Sequence, residues 1–90
     1  AIVGISAIDE DGTLLDFDHE ELIVTQEIYK QSRKIILIAD ANKFDRKAPY
    51  VTGSLSDIDI FVTDLKPTKK IIKICKSNNV DLIITSSVSK

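Results

Sequence analysis

Apolar residues gather in four runs of strand length. The chain enters on "AIVGI" at residues 1–5, followed by "KIILIAD" at 34–40, "IDIFVTD" at 58–64 and "DLIITSS" at 81–87. The second, continuous from Ile35 to Ala39, has the pattern of a strand covered on both faces. Between the first two runs, "HEELIVTQEIYKQSR" brings Leu22, Val24, Ile28 and Tyr29, with Ile23 beside them, onto a broad apolar helix face. Asp18 and Glu21 have the spacing of a capping box, and Lys30 and Arg33 at the far end complement the helix dipole. A second helix is expected over 67–78, with Pro67 in its first turn, where a missing N–H costs nothing. In that helix Ile71, Ile72, Ile74 and Cys75 face inward and Lys69, Lys70, Lys73 and Lys76 face water.

The stretches between these elements read as turns. Asp11-Gly12 interrupts "SAIDEDGTLLDFD", and "PYVTGSLSD" holds Pro49, Gly53 and three small hydroxyl residues. The expected order is β-α-β-β-α-β, an α/β fold with a mostly parallel sheet flanked by helices. Residues 1–85 are expected to belong to a single domain, with 86–90 a fraying tail.

Ninety residues, 43% apolar and 29% charged, have room for one domain at most. The excess of Ile over Leu, with no Met or Trp, suits strands. One cysteine excludes an internal disulfide, and with a single histidine it also excludes a Cys/His zinc site. Cys75 reads as a buried, inert thiol. No apolar run approaches the length of a membrane span, and the first residues lack a basic leader, so a cytoplasmic protein is expected.

Charge is unevenly spread over a net of −2. Residues 1–29 hold eight acids and no Lys or Arg, whereas 30–90 hold twelve bases and six acids. That balance argues against a nucleic-acid clamp and leaves the later segment to capture any small anion. Three glycines form neither a P-loop nor a dinucleotide fingerprint, no metal or cofactor is indicated, and Asp9-Glu10-Asp11 reads as a solvated turn. The remaining candidates stand where parallel strands end: Ser6 and Asp9 after the first, Asp40 to Lys43 after the second, Thr63 and Asp64 after the third. Singly, each has an ordinary role as a cap or a solvated side chain. Their convergence on one edge of the sheet, where α/β folds bind ligands, supports a site.

Three segments, "GISAIDEDGTLLDFDHEE", "SRKIILIADANKFDRKA" and "LSDIDIFVTD", resemble the second half of the C-terminal effector-sensing domain of DeoR-type transcriptional repressors. The combination of "AD-x-x-KF" with "LSDID-x-x-x-TD" carries the likeness, which covers nearly the whole chain. It implies a fold like that of ribose-5-phosphate isomerases and glucosamine-phosphate deaminases, used to sense a phosphorylated sugar. It also implies an oligomer, and contact with DNA only through a helix-turn-helix domain outside this chain, together with the first half of the sensor. By resemblance, Lys43, Asp40 and Ser6 fall on the effector site, and Gly4, Gly12, Glu21, Asp59 and Asp64 on patterned positions. Ala7 and Asp45 stand where glycine is typical, and Thr25 where lysine is common. An isomerase would need a carboxylate base, and no glutamate follows Glu27. The effector-binding set expected is Gly4, Ser6, Asp9, Asp40, Lys43 and Asp64, with an isomerase-like enzyme fragment and a ligand-free α/β oligomerisation module as the alternatives.

Overall fold

The computed structural model describes residues 1–85; the tail expected at 86–90 lies outside them. In chain order the elements are β1 (Ile2–Val3), β2 (Ala7–Ile8), β3 (Thr13–Asp16), α1 (His19–Gln31), β4 (Ile36–Ile38), a 3-10 turn (Ala41–Asp45), β5 (Tyr50–Ser54), a second 3-10 turn (Leu55–Asp57), β6 (Ile60–Thr63), α2 (Lys69–Ser77) and β7 (Asp81–Ile84). Strands β1, β4, β6 and β7 form a wholly parallel sheet in that spatial order. The α/β class expected from the apolar runs therefore stands.

The expected topology omits a second sheet. Strands β2, β3 and β5 pair antiparallel in the order β2-β3-β5, within the two stretches read as turns. The Asp11-Gly12 signal marks the β2–β3 hairpin: the Gly12 amide donates to the Asp9 carbonyl at 2.9 Å, and Gly12 adopts φ +88°. That is a type I turn closed by a glycine in the left-handed region. A bulge between Leu14 and Leu15 accompanies the buried Thr52, whose hydroxyl donates to the Leu14 carbonyl at 3.2 Å. These strands are two to five residues long, too short for alternation to register.

The helices also depart in detail. Asp18 caps α1 through the Glu20 amide at 2.9 Å; a reciprocal bond from Glu21 is not among those of the described residues, so the expected capping box is replaced by a simple cap. The capping box belongs instead to Ser54 and Asp57 on the second 3-10 turn. Helix α1 packs against β5 and β3 of the second sheet, with Ile28 and Tyr29 inward and Ile23 and Val24 exposed. Gly53 on β5 admits the Tyr29 ring, since a β-carbon there would stand 2.9 Å from Cε2 of that ring. Helix α2 begins after Pro67, with Thr68 as its cap, and buries Ile71 and Cys75 while Ile72 and Ile74 are half-buried.

One core joins the layers. Val3, Leu37 and Phe61, neighbours across the parallel sheet, pack with Ile8, Leu14, Leu55, Ile71 and Cys75. Contrary to the continuous apolar pattern, the other face of that sheet is open among the described residues. Ile2 (69% exposed), Ile38 (51%) and Ile83 (48%) lie on it, with Ile36, Ile60 and Val62 half-buried between them. Strands laid side by side in sequence order by right-handed crossovers put their connections on one face, which accounts for the bare one.

Candidate functional site

Strands β4, β6 and β7 end side by side, and polar residues follow close behind them: Asp40 after β4, Asp64 after β6 and Thr85 after β7. After β4 the chain turns at Asp40, whose carboxylate accepts from the Asn42 amide at 3.0 Å and caps the 3-10 turn. After β6, Asp64 reaches across and accepts from the Ala41 amide at 2.8 Å. On the core side, Phe44 packs against Phe61 with ring centroids 6.0 Å apart. A turn held by two carboxylates and an aromatic anchor presents Lys43 half-buried, its amide donating to the Asp40 carbonyl at 3.1 Å. Among the described residues Lys43 makes no ion pair.

Asp40 and Asp64 also wall a hollow of about 130 Å³ at the ends of β4, β6 and β7, floored by Ile38 and Val62 and flanked by Thr63 and Thr85. A second hollow, about 320 Å³, lies where Asp9 and Glu10 of the hairpin face Phe44, Arg46 and Lys47. A larger one, about 500 Å³, separates the hairpin from the outer face of α2, with Asp9, Glu10 and Asp11 opposite Lys70 and Lys73. Its one ion pair, Glu10 to Lys70 at 3.8 Å, joins two freely solvated side chains and contributes little. We place the candidate site at the strand ends, where the structure fixes its groups, rather than in this larger hollow.

The expected residues thus divide. Asp40, Asp64 and Lys43 come together around the 3-10 turn. Asp9 is not brought into that group: it lines a different hollow, with Glu10, Phe44, Arg46 and Lys47, on the β2–β3 hairpin side. Ser6 is turned away: its hydroxyl donates to the Asp16 carboxylate in a short hydrogen bond, and Asp16 is 3% exposed. Gly4 is exposed, and a β-carbon there would meet nothing within 4 Å, so packing does not require a glycine. The Asp11 carboxylate is held below its ordinary range by hydrogen bonds from the Thr13 hydroxyl and amide, which fix the hairpin loop. Arg46, Lys47 and Thr85 were not singled out; the first two stood in the same polar loop as Lys43, and Thr85 became relevant only when β7 took its place beside β6.

Burial pushes the Cys75 thiol up, as expected of an inert core cysteine. Two carboxylates that could serve as a base are engaged elsewhere. Asp57 accepts from the Ser54 amide at 3.0 Å, and Asp59 accepts from the Ile35 amide at 2.7 Å. No group of His, Cys, Asp or Glu side chains suited to a metal ion occurs among the described residues, nor is any helix there long and apolar enough to cross a membrane.

A parallel α/β domain with charged groups gathered at the carboxyl ends of its strands is the class defined by this geometry. The chain belongs to the family of the DeoR C terminal sensor domain, whose model matches residues 1–65. It is 37% identical over 81 residues to the glycerol-3-phosphate regulon repressor of Escherichia coli strain K12, an alignment covering 90% of this chain and 32% of that protein. The glycerol-3-phosphate regulon repressor of Haemophilus influenzae is 41% identical over 83 residues, 92% of this chain and 32% of its own length. The HTH-type transcriptional repressor GlcR of Bacillus subtilis is 27% identical over 85 residues, 94% of this chain and 33% of its own. The chain spans about a third of the length of these curated relatives.

Proposed function

We propose that residues 1–85 are part of a sugar-phosphate-sensing domain, and that a phosphorylated sugar bound at the strand ends alters DNA binding by a helix-turn-helix domain elsewhere in the protein. The observation that carries this reading is Lys43, half-buried on a turn fixed by Asp40, Asp64 and Phe44. An ammonium carried on a fixed turn at a sheet edge is a ready partner for a phosphate, and Arg46 and Lys47 follow on the same loop. Two of the relatives above carry glycerol-3-phosphate in their names, which fits a phosphorylated ligand. We read the domain as non-enzymatic, because Asp57 and Asp59 cap backbone amides and no glutamate lies beyond Glu27. A regulator of this kind works in the cytoplasm.

Thermal unfolding against a panel of sugar phosphates, glycerol 3-phosphate included, tests the reading. A ligand at a hundred times its Kd stabilises by about 2.7 kcal/mol, a rise on the order of 10 °C for a domain of this size. Lys43→Ala is expected to abolish the rise, and an unchanged Tm across the panel rejects the proposal.

The same reading makes the protein a homo-oligomer. Its support is the open apolar face of the parallel sheet, where a second copy would cover Ile2, Ile38 and Ile83. Sedimentation of the wild type and of Ile38→Lys tests it: a wild-type monomer at high concentration counts against self-association.

A further inference from the structure

The two helices turn faces of opposite charge outward. Residues 65–80 hold five lysines, Lys66, Lys69, Lys70, Lys73 and Lys76, all exposed, and no acid. Lys69, Lys73 and Lys76 share the stripe of α2 opposite the buried Ile71 and Cys75, and the half-buried Ile72 flanks it. Glu10 of the hairpin pairs with Lys70 at 3.8 Å; the other four lysines make no ion pair among the described residues. Helix α1 is the reverse. Asp18, Glu20, Glu21 and Glu27 are exposed, and its one lysine, Lys30, stands in the last turn. Glu20, Ile23 and Glu27 share the stripe turned away from the inward Ile28 and Tyr29. Ile23 and the adjacent Val24 are each more than half exposed.

These faces match in spacing as well as in sign. Glu20, Ile23 and Glu27 stand at i, i+3 and i+7, and so do Lys69, Ile72 and Lys76. Each set spans about 10 Å of helix. At the start of α1, Asp18, Glu20, Glu21, Val24 and Thr25 line a hollow of about 460 Å³. A lysine entering it lays its methylene stem on Val24 and sets its ammonium among three carboxylates. Within one chain α1 packs on β3 and β5, and α2 on β7 and the second 3-10 turn, which leaves both charged faces outward. A long polyanion suits the lysines less well than a short acidic helix does. Asp9, Glu10 and Asp11 face Lys70 and Lys73 across the neighbouring hollow and would repel it.

We infer that α1 of one copy docks on α2 of another, with Glu20 and Glu27 against Lys69 and Lys76 and Ile23 against Ile72. The contact joins unlike faces, so copies link head to tail. It is separate from the sheet-face contact proposed above and independent of the sensor reading. Each exposed ion pair contributes little, so the contact depends on several acting together with the apolar centre, and salt weakens it.

Sedimentation of the intact chain at about 0.01 M and about 1 M salt tests it, since charges act over roughly 30 Å in the first and roughly 3 Å in the second. Wild type is expected to associate about tenfold more tightly at the lower salt. There, Lys69→Glu with Lys76→Glu should weaken association about tenfold, and so should Glu20→Lys with Glu27→Lys. All four positions are exposed, and melting curves confirm that the variants fold. The chain carrying all four reversals should associate as wild type does, because the charges are exchanged and their complementarity is kept. If the reversals weaken association and the fourfold exchange fails to restore it, the pairing is refuted. Association indifferent to salt and to the reversals, and lost only in Ile38→Lys, refutes the helix contact and leaves the sheet-face contact standing. If the lysine reversals weaken binding to a DNA duplex and leave self-association unchanged, the basic face serves a polyanion and the inference is refuted. A wild type that stays monomeric at low salt refutes both contacts.

Discussion

Tyr29 gives the packing of α1 on the second sheet a measurable consequence. Its ring lies over Gly53 and its hydroxyl is buried without a partner, because the neighbouring Thr52 hydroxyl donates to the Leu14 carbonyl instead. Burial, the charge of Asp57 and that of Asp16 push the phenol from 10.0 up to about 12, opposed only by the nearby Thr52 hydroxyl. The unfolded chain releases this proton near pH 10 and the folded chain near pH 12. Between these values the unfolded state binds fewer protons, so stability is full below pH 10 and falls as pH rises toward 12. The full shift would correspond to about 2.7 kcal/mol; part of the ring faces solvent, and screening reduces this to roughly 1 kcal/mol. Tyr29→Phe should therefore unfold in urea with neutral or slightly greater stability at pH 7, since a desolvated hydroxyl is removed. Between about pH 9 and pH 11 it should lose roughly 1 kcal/mol less than wild type. Circular dichroism across urea series at each pH reads the difference, and Tyr50→Phe controls for the other tyrosine. Parallel stability profiles for wild type and Tyr29→Phe would refute the packing of this ring.

Other substitutions probe the remaining supports. Gly12→Ala forces a side chain into φ +88° with its β-carbon 3.3 Å from Ile74, and should cost about 1–3 kcal/mol, read as a lower Tm. Asp64→Ala frees the Ala41 amide and should cost about 1 kcal/mol in urea unfolding, whereas Asp64→Asn, which keeps an acceptor, should cost less. Cys75 should react with a thiol reagent only on unfolding, at a rate that rises with denaturant, because it is buried and its thiol is pushed up.

The effector reading depends on how a short turn is built. "DANKF" looks like any wet loop until its supports are traced. Asp40 caps it from within, Asp64 ties it to β6, and Phe44 docks it on Phe61. These contacts place Lys43 beside the strand ends and leave the acidic hairpin facing Arg46 and Lys47 across an open hollow. The uneven charge along the chain thus becomes a local juxtaposition of acid and base at one edge.

The sequence by itself determined the parallel sheet and the two helices, because Ile-rich runs and helical spacing are local patterns that leave burial few alternatives. It also determined which strand ends carry polar groups, since those residues directly follow each run. Only the tertiary structure decided the second sheet, whose strands of two to five residues owe their pairing to partners as far apart as Thr13 and Ser54. It decided, too, that Ser6 serves Asp16 rather than the edge, and that one face of the parallel sheet is left open. The first follows from the register of the β2–β3 hairpin, in which the Ser6 amide donates to the Leu15 carbonyl, and the second from the spatial order β1-β4-β6-β7; both are set by pairings between distant segments, which no local pattern of apolar and polar residues encodes.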